Sequence, residues 1–332
     1  MADLGHPSRI DLAKRRITNI LRRHVVATLR TLEQKISDAG PSNQRIDPHL
    51  LTTALKELEP RTVIRLDRVG GPWFHLAQTR VQDVDARLRI LEPIHTATMA
   101  GTFVKRMGQA LEIAVFKALQ TQTRMDFFGA FSDLNQHDDS SVYSHQEPPA
   151  IVSGHRMPGK LDFMVLQGQV IGGVEVKNTR PWIYPDSSED VVALLKKCCA
   201  VNAIPILVAR RIHYSTFSAL THCGVIIHQT FNQRYPQADE GLAAQARHKD
   251  LLGYHDIRIG NEPDARLIKF IHTNLPTLLP SFRDRFDRFK DLLSAYATGQ
   301  MPYKEFAARS KRRLRGEPED GYPPEPPYDD WI

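Results

Sequence analysis

Residues 159–178 read GKLDFMVLQGQVIGGVEVKN, and three charged residues, Asp162, Glu175 and Lys177, interrupt runs that are otherwise apolar. Burying an unpaired charge costs several kcal/mol, so such residues call for a partner or a task. Strand side chains alternate faces, which puts Glu175 and Lys177 on one face and Val174 and Val176 on the other. With a two-residue turn at Gly168-Gln169, Asp162 falls directly opposite Glu175, with Cβ atoms roughly 5 Å apart. A three-residue turn separates the two, unless Gly172-Gly173 hold a compensating bulge. Two carboxylates that close repel unless one keeps its proton or a cation binds between them. Mg²⁺ suits such a site, because it takes hard oxygen ligands, keeps several waters and favours phosphate as co-ligand; Mn²⁺ is expected to substitute. Lys177 could then position an attacking water or steady developing phosphate charge. This set of groups suits phosphodiester hydrolysis, and a plain ion pair between Lys177 and Asp162 is the competing account.

Asp162, twelve intervening residues and then Glu175-Val176-Lys177 resemble the PD-(D/E)xK motif of restriction-endonuclease-like nucleases. The resemblance spans about residues 100–230 and implies an αβββαβ core, with the aspartate beginning one strand and the E-x-K on the next. It also implies a glutamate on the preceding helix, where GQALE supplies Glu112, one turn after Gly108. By the same resemblance Asp162, Glu175 and the Val176 carbonyl are metal ligands, Glu112 completes the site, and Lys177 acts on the nucleophile. Gln229 is an accessory contact. Leu161 stands where the family has its proline, one of its looser positions.

The elements that must position these residues follow from periodicity. GTFVKRMGQALEIAVFKALQT (101–121) is helical, with Val104, Met107, Leu111, Val115 and Ala118 as its buried stripe. A polar, turn-rich stretch leads to the hairpin. After it come a helix from about Ser188 to Val201, a buried strand at 203–210, a helix near 214–222 and a strand at 224–230, an α/β order. Lys196-Lys197 and Arg210-Arg211 are candidate contacts to backbone phosphate, or simply solvated charge. His137, Asp138 and Asp139 read as loop charge, and His213, His222 and His228 lack ligand spacing. Gly172-Gly173 is no phosphate loop, since no lysine follows at the required spacing.

Ahead of this domain, residues 9–39 read as long helical stretches, broken by GPSN (40–43). Asp47 is expected to cap a short helix with Pro48 at its first position. RTVIRLDRVGGPWFHL then predicts a hairpin about Gly70-Gly71. Helix, turn, helix and hairpin resemble a winged helix, with Arg61, Arg65 and Arg68 lining the wing; a small helical domain with a hairpin cap writes a similar sequence. Residues 1–30 hold seven arginines and lysines against two acids, Arg15 and Arg16 among them. Such a start suits nucleic acid, with an organelle transit peptide as the alternative.

The chain has 332 residues, enough for two domains with a core each, and is 41% hydrophobic and 25% charged with a net charge of +6. No apolar run approaches the roughly 18 residues of a membrane span, and no secretory signal is visible. The only cysteines are Cys198, Cys199 and Cys223, which points to a reducing, cytoplasmic setting. Residues 281–315 carry ten basic and four acidic residues, and residues 317–332 carry six acids, no bases and five prolines, the composition of a disordered tail. The expected organisation is a helical, winged-helix-like domain at 1–95, a nuclease domain at 96–280, and a basic helical segment with an acidic tail at 281–332. The expected protein is a Mg²⁺-dependent DNA endonuclease, by analogy a homodimer, with RNA still open as substrate. The alternative of another class is a winged-helix regulator whose nuclease-like domain is catalytically retired.

Overall fold

The structure, a computed structural model, describes residues 8–38, 45–136, 138–184 and 189–319. The turn expected at 40–43, His137, the helix start at Ser188 and the tail from 320 lie outside the described residues. The protein is mixed α/β and divides into two compact units, Met1–Lys105 with Ala238–Ile259, and Arg106–Gln237 with Gly260–Ile332.

The first unit opens with α1 (Arg9–His24), whose N-terminus is capped by the Ser8 hydroxyl accepting from the Asp11 N–H. Ala13, Ile17, Leu21 and His24 form its buried stripe. Long helical stretches were expected over 9–39, and β1 (Val26–Thr28) lies between two of them. The β-branched pair Val25-Val26 disfavours helix, and Thr28 caps the next one, α2 (Leu29–Ile36), by accepting from the Thr31 N–H. In α3 (Pro48–Leu58) Pro48 takes the first turn as expected. Asp47 precedes it but makes no side-chain cap, its carboxylate lying 3.7 Å from Arg9 instead.

A hairpin of β2 (Val63–Arg68) and β3 (Gly71–Leu76) follows, and Arg68 pairs with Gly71, so the turn is Val69-Gly70 rather than Gly70-Gly71. The three strands form one antiparallel sheet in the order β1-β3-β2, with Trp73 fully buried. Then come α4 (Val81–Met99) and, returning from far along the chain, α8 (Glu240–Arg247) and β14 (Ile257–Ile259). Lys35 donates to the Lys249 carbonyl at 2.7 Å, and Gln34 bonds the His255 ring. Residues 238–259 therefore belong with the N-terminal elements, which corrects the expected domain boundaries.

The second unit takes most of α5 (Gly101–Thr121) and then β4 (Asp126–Phe128). Val104, expected in the buried stripe of α5, is 39% exposed. Two small hairpins, β5 (Ala130–Phe131) with β6 (His145–Gln146) and β7 (Ile151–Val152) with β8 (His155–Arg156), lead to β9 (Phe163–Gln167) and β10 (Val170–Lys177). Next are α6 (Glu189–Ala200), β11 (Ile204–Ala209), α7 (Tyr214–His222) and β12 (Ile226–Gln229). The sheet order is β12-β11-β10-β9-β4; β10, β11 and β12 run parallel, and β9 is antiparallel to both its neighbours. Every residue of β11 is buried, as a central parallel strand requires.

Gly172 and Gly173 hold no bulge. A Cβ on Gly173 would lie 2.6 Å from Cys198 of α6, and one on Gly172 would lie 3.0 Å from Leu279 of α10 (Leu275–Ser281). Successive residues point to opposite faces, so the glycines admit a helix against each face of the strand. Two last helices, α11 (Arg283–Ala297) and α12 (Tyr303–Arg315), bury Phe286, Phe289, Leu292, Leu293, Tyr296 and Phe306 in the same core as the sheet. Residues 281–315 are thus part of this unit and not a separate basic segment. Their apolar side chains recur at helical spacing and turn inward, and most of the charges stay at least partly exposed, with Arg312 buried.

Candidate active site

The β9–β10 hairpin has the two-residue turn, Gly168-Gln169, and Gln167 pairs with Val170 and Phe163 with Val174. Continuing that register sets Asp162 opposite Glu175. The regular ladder ends at Phe163. Asp162 donates its N–H to the Val174 carbonyl at 3.2 Å, and its carboxylate accepts from the Val176 N–H at 2.6 Å. Gly129, in a left-handed conformation with φ +103°, presses on the same point: a Cβ there would lie 2.7 Å from the Asp162 carbonyl oxygen.

Glu175 is 7% exposed and is held from two sides. Lys177 reaches one of its oxygens at 3.0 Å and Lys197 of α6 reaches the other at 2.8 Å. Lys177 also pairs with Asp190 at 3.1 Å, on the same helix as Lys197. The Lys177–Asp162 ion pair of the competing account is not the one formed. The Lys177 side chain pairs with Glu175 on its own strand and face, and Asp162 turns to the Val176 N–H.

Glu112 enters from α5. Its carboxyl is pushed well above the usual range, first by burial, then by the charge of Asp162, with Lys177 opposing and Glu175 adding. Asp162 is raised too, by burial and by Glu175, against the Val176 N–H and the two lysines. Burial alone would lower the Lys177 ammonium, and Glu175 and Asp190 outweigh it and hold it above the ordinary lysine value. The structure therefore brings Glu112, Asp162, Glu175 and Lys177 into one electrostatic cluster. Asn178 anchors α5 beside it, donating to the Met107 carbonyl at 2.5 Å and to the Arg234 carbonyl at 2.7 Å.

The oxygens of Glu112, Asp162 and Glu175 do not all come within 4.8 Å of one another, and both oxygens of Glu175 are taken by lysines. The donor set still fits a divalent cation. Four carboxylates, Glu112, Asp162, Glu175 and Asp190, face two ammonium groups, a deficit of two positive charges when all are ionised. The two raised carboxyls, Glu112 and Asp162, have no ammonium within ion-pair distance among the described residues. Without a cation these two carboxyls favour their protonated forms; Mg²⁺ or Mn²⁺, taking hard oxygen ligands, would bind in place of those protons.

The expected phosphate contacts divide. Arg15, Arg61, Arg68 and Lys196 are exposed and Arg16 is half-buried; Arg65 is exposed but pairs with Asp67 at 2.9 Å. Arg210 is 1% exposed and donates to the Arg180 carbonyl at 2.8 Å, so it is a core residue, not a phosphate contact. Arg211 stacks over Phe231 at 4.7 Å. Lys197 belongs to the site itself. Gln229, expected as an accessory contact, accepts from the Ile212 N–H at 2.9 Å, a structural bond.

Sequence reasoning missed Asp190, Asn178 and Gly129, and it gave Lys197 another role. A signal existed for one pair: Asp190 and Lys197 lie seven apart on one helix, hence on one face. Compared with known protein families, characterised proteins and solved structures, the chain matches none.

Proposed function

We propose that the second unit is a divalent-metal-dependent nuclease of the restriction-endonuclease-like kind, cutting DNA in restriction, antiviral defence or repair. The observation behind this reading is the convergence of Glu112, Asp162, Glu175 and Lys177 from one helix and two adjacent strands, with two of the carboxyls uncompensated. With the small β5–β6 and β7–β8 pairs set aside, the order α5, β4, β9, β10, α6, β11 supports it, matching the αβββαβ order expected of that family. Bound Mg²⁺ would supply charge stabilisation at the scissile phosphate and an acidified water. Glu112, Asp162, Glu175 and the Val176 carbonyl would hold it. Lys177, fixed by Asp190, keeps its ammonium beside these oxygens, where it can orient the attacking water or meet developing charge.

The first unit supports DNA as the partner. Its helices followed by the β2–β3 hairpin resemble a winged helix, and exposed Arg61 and Arg68 flank the hairpin. Cutting both strands usually takes two sites, so by analogy the reading includes a homodimer. Labelled DNA and RNA incubated with the protein, with and without Mg²⁺ or Mn²⁺, test the proposal. Metal-dependent cleavage of DNA supports it, and cleavage of RNA alone changes the substrate.

A second reading rests on the Lys177–Glu175–Lys197 pairs, which satisfy Glu175 without any metal. Under it the first unit binds DNA as a regulator and the second is a retired nuclease. Absence of cleavage and of metal binding together would favour this account.

A further inference from the structure

Lys196, Lys197 and Cys198 are consecutive on α6 and have three different surroundings. Lys196 is exposed, Cys198 is buried against Gly173, and Lys197 lies between, its side chain 12% exposed and its Nζ 2.8 Å from Glu175. Gly159, left-handed at φ +105°, passes over the lysine stem, its Cβ position 3.6 Å from the Lys197 Cε. This ammonium is thus walled in and directed at a carboxylate, unlike a lysine that tracks backbone phosphate.

The two lysines on Glu175 are not equivalent. Lys177 has a second carboxylate, Asp190, and keeps it whatever Glu175 does. Lys197 pairs with Glu175 and with no other carboxylate among the described residues. A cation that takes the oxygen of Glu175 held by Lys197 must displace that ammonium, because two cations on one carboxylate oxygen repel. We propose that Lys197 is a positioning residue of the active site: the internal cation that occupies Glu175 and competes with the divalent metal for it. The inference rests on the nuclease reading, and it adds a residue that sets how much metal the site requires.

The test compares wild type, Lys197→Met, Lys197→Arg and Lys196→Met by Mg²⁺ and Mn²⁺ titration, followed by calorimetry and by melting temperature. Lys197→Met should bind metal about tenfold or more tightly, having lost the competing charge while keeping a side chain of similar length. Lys197→Arg and Lys196→Met should stay near wild type. A second measurement needs no variant. Acetic anhydride labelling of the wild-type protein, read by mass spectrometry, should show Lys197 protected without metal and more reactive once Mg²⁺ is added. Equal metal affinity in wild type and Lys197→Met, or unchanged Lys197 labelling while metal demonstrably binds, overturns the proposal and leaves the nuclease reading standing. If no form binds metal, both fall.

Discussion

Two strands of this protein each carry an acid and a base two residues apart. In the first unit Arg65 and Asp67 pair at 2.9 Å on β2, with side chains 51% and 76% exposed. In the second, Glu175 and Lys177 pair at 3.0 Å on β10, with side chains 9% and 24% exposed. Spacing, distance and geometry are nearly the same. What differs is the surroundings: water screens the first pair, whereas the second is enclosed and gains Glu112 from α5, Asp190 and Lys197 from α6, and Asp162 from the start of the neighbouring strand. A pair of this kind is inert where water can replace either partner, and becomes chemically useful where it cannot.

The contrast is sharpest at Glu175. Glu175→Ala strands Lys197 and leaves Lys177 only Asp190, and breaking a buried pair this way costs about 3–5 kcal/mol. A urea melt of the metal-free protein should show that loss, and the metal-dependent cleavage proposed for this site should fall at least about a hundredfold. A variant as stable as wild type would mean that water reaches this corner as freely as it reaches Asp67.

Glu112→Gln should move stability the other way. The Glu112 carboxyl is raised in the folded protein, so the folded state binds the proton more tightly than the unfolded chain does. Wild-type stability from this group is therefore intact below the unfolded carboxyl value and is lost as pH rises from there through the raised folded value. A glutamine cannot ionise. The variant should match wild type near pH 4 and exceed it by on the order of 2 kcal/mol at pH 9 without metal. Added Mg²⁺ should narrow the gap by stabilising only the wild type. Melting curves across pH check the sign, and a variant less stable at pH 9 would refute it.

Gly173→Ala tests the close approach of α6, which brings Lys197 and Asp190 to the strand. Its Cβ would meet Cys198 at 2.6 Å and Leu161 at 2.8 Å, and overpacking of this kind costs about 1–3 kcal/mol. Cleavage should fall more than the stability loss explains, because α6 carries two members of the cluster. Full activity in a destabilised protein would separate packing from chemistry here.

The smallest effect is expected on the exposed strand. Asp67→Ala should change stability by about 0–1 kcal/mol, and less in high salt. A larger loss would show that the β2 pair is not the screened counterpart of the β10 pair.

Several features of the site were legible in the chain. The alternation of valine with Glu175 and Lys177 along VEVK marks the face that the two charges share, and Gly168 marks the turn, although the strand is buried on both faces from Gly172 to Val176. The stripe along α5 likewise places Met107, Leu111 and Val115 inward. Other features were hidden, for a common physical reason: local pattern records which face is buried, not what lies against it. A run of arginines and lysines at 281–315 reads as a basic segment, although its phenylalanines complete the core of the sheet. Arg210 reads as a surface cation and is one of the largest fully buried side chains.

By itself, then, the sequence determined the strand that bears Glu175 and Lys177 and the face they share. It left two turn lengths open, of which the structure takes the one that sets Asp162 across from Glu175. The strand and the shared face depend on period-two patterning, which is local. Only the tertiary structure decided that Lys197 and Asp190 join them, that Lys177 pairs with Glu175 rather than Asp162, and that residues 238–259 return to the first unit. Charge pairing is short-ranged and indifferent to chain separation, so the partners a carboxylate finds depend on which helix is packed over it.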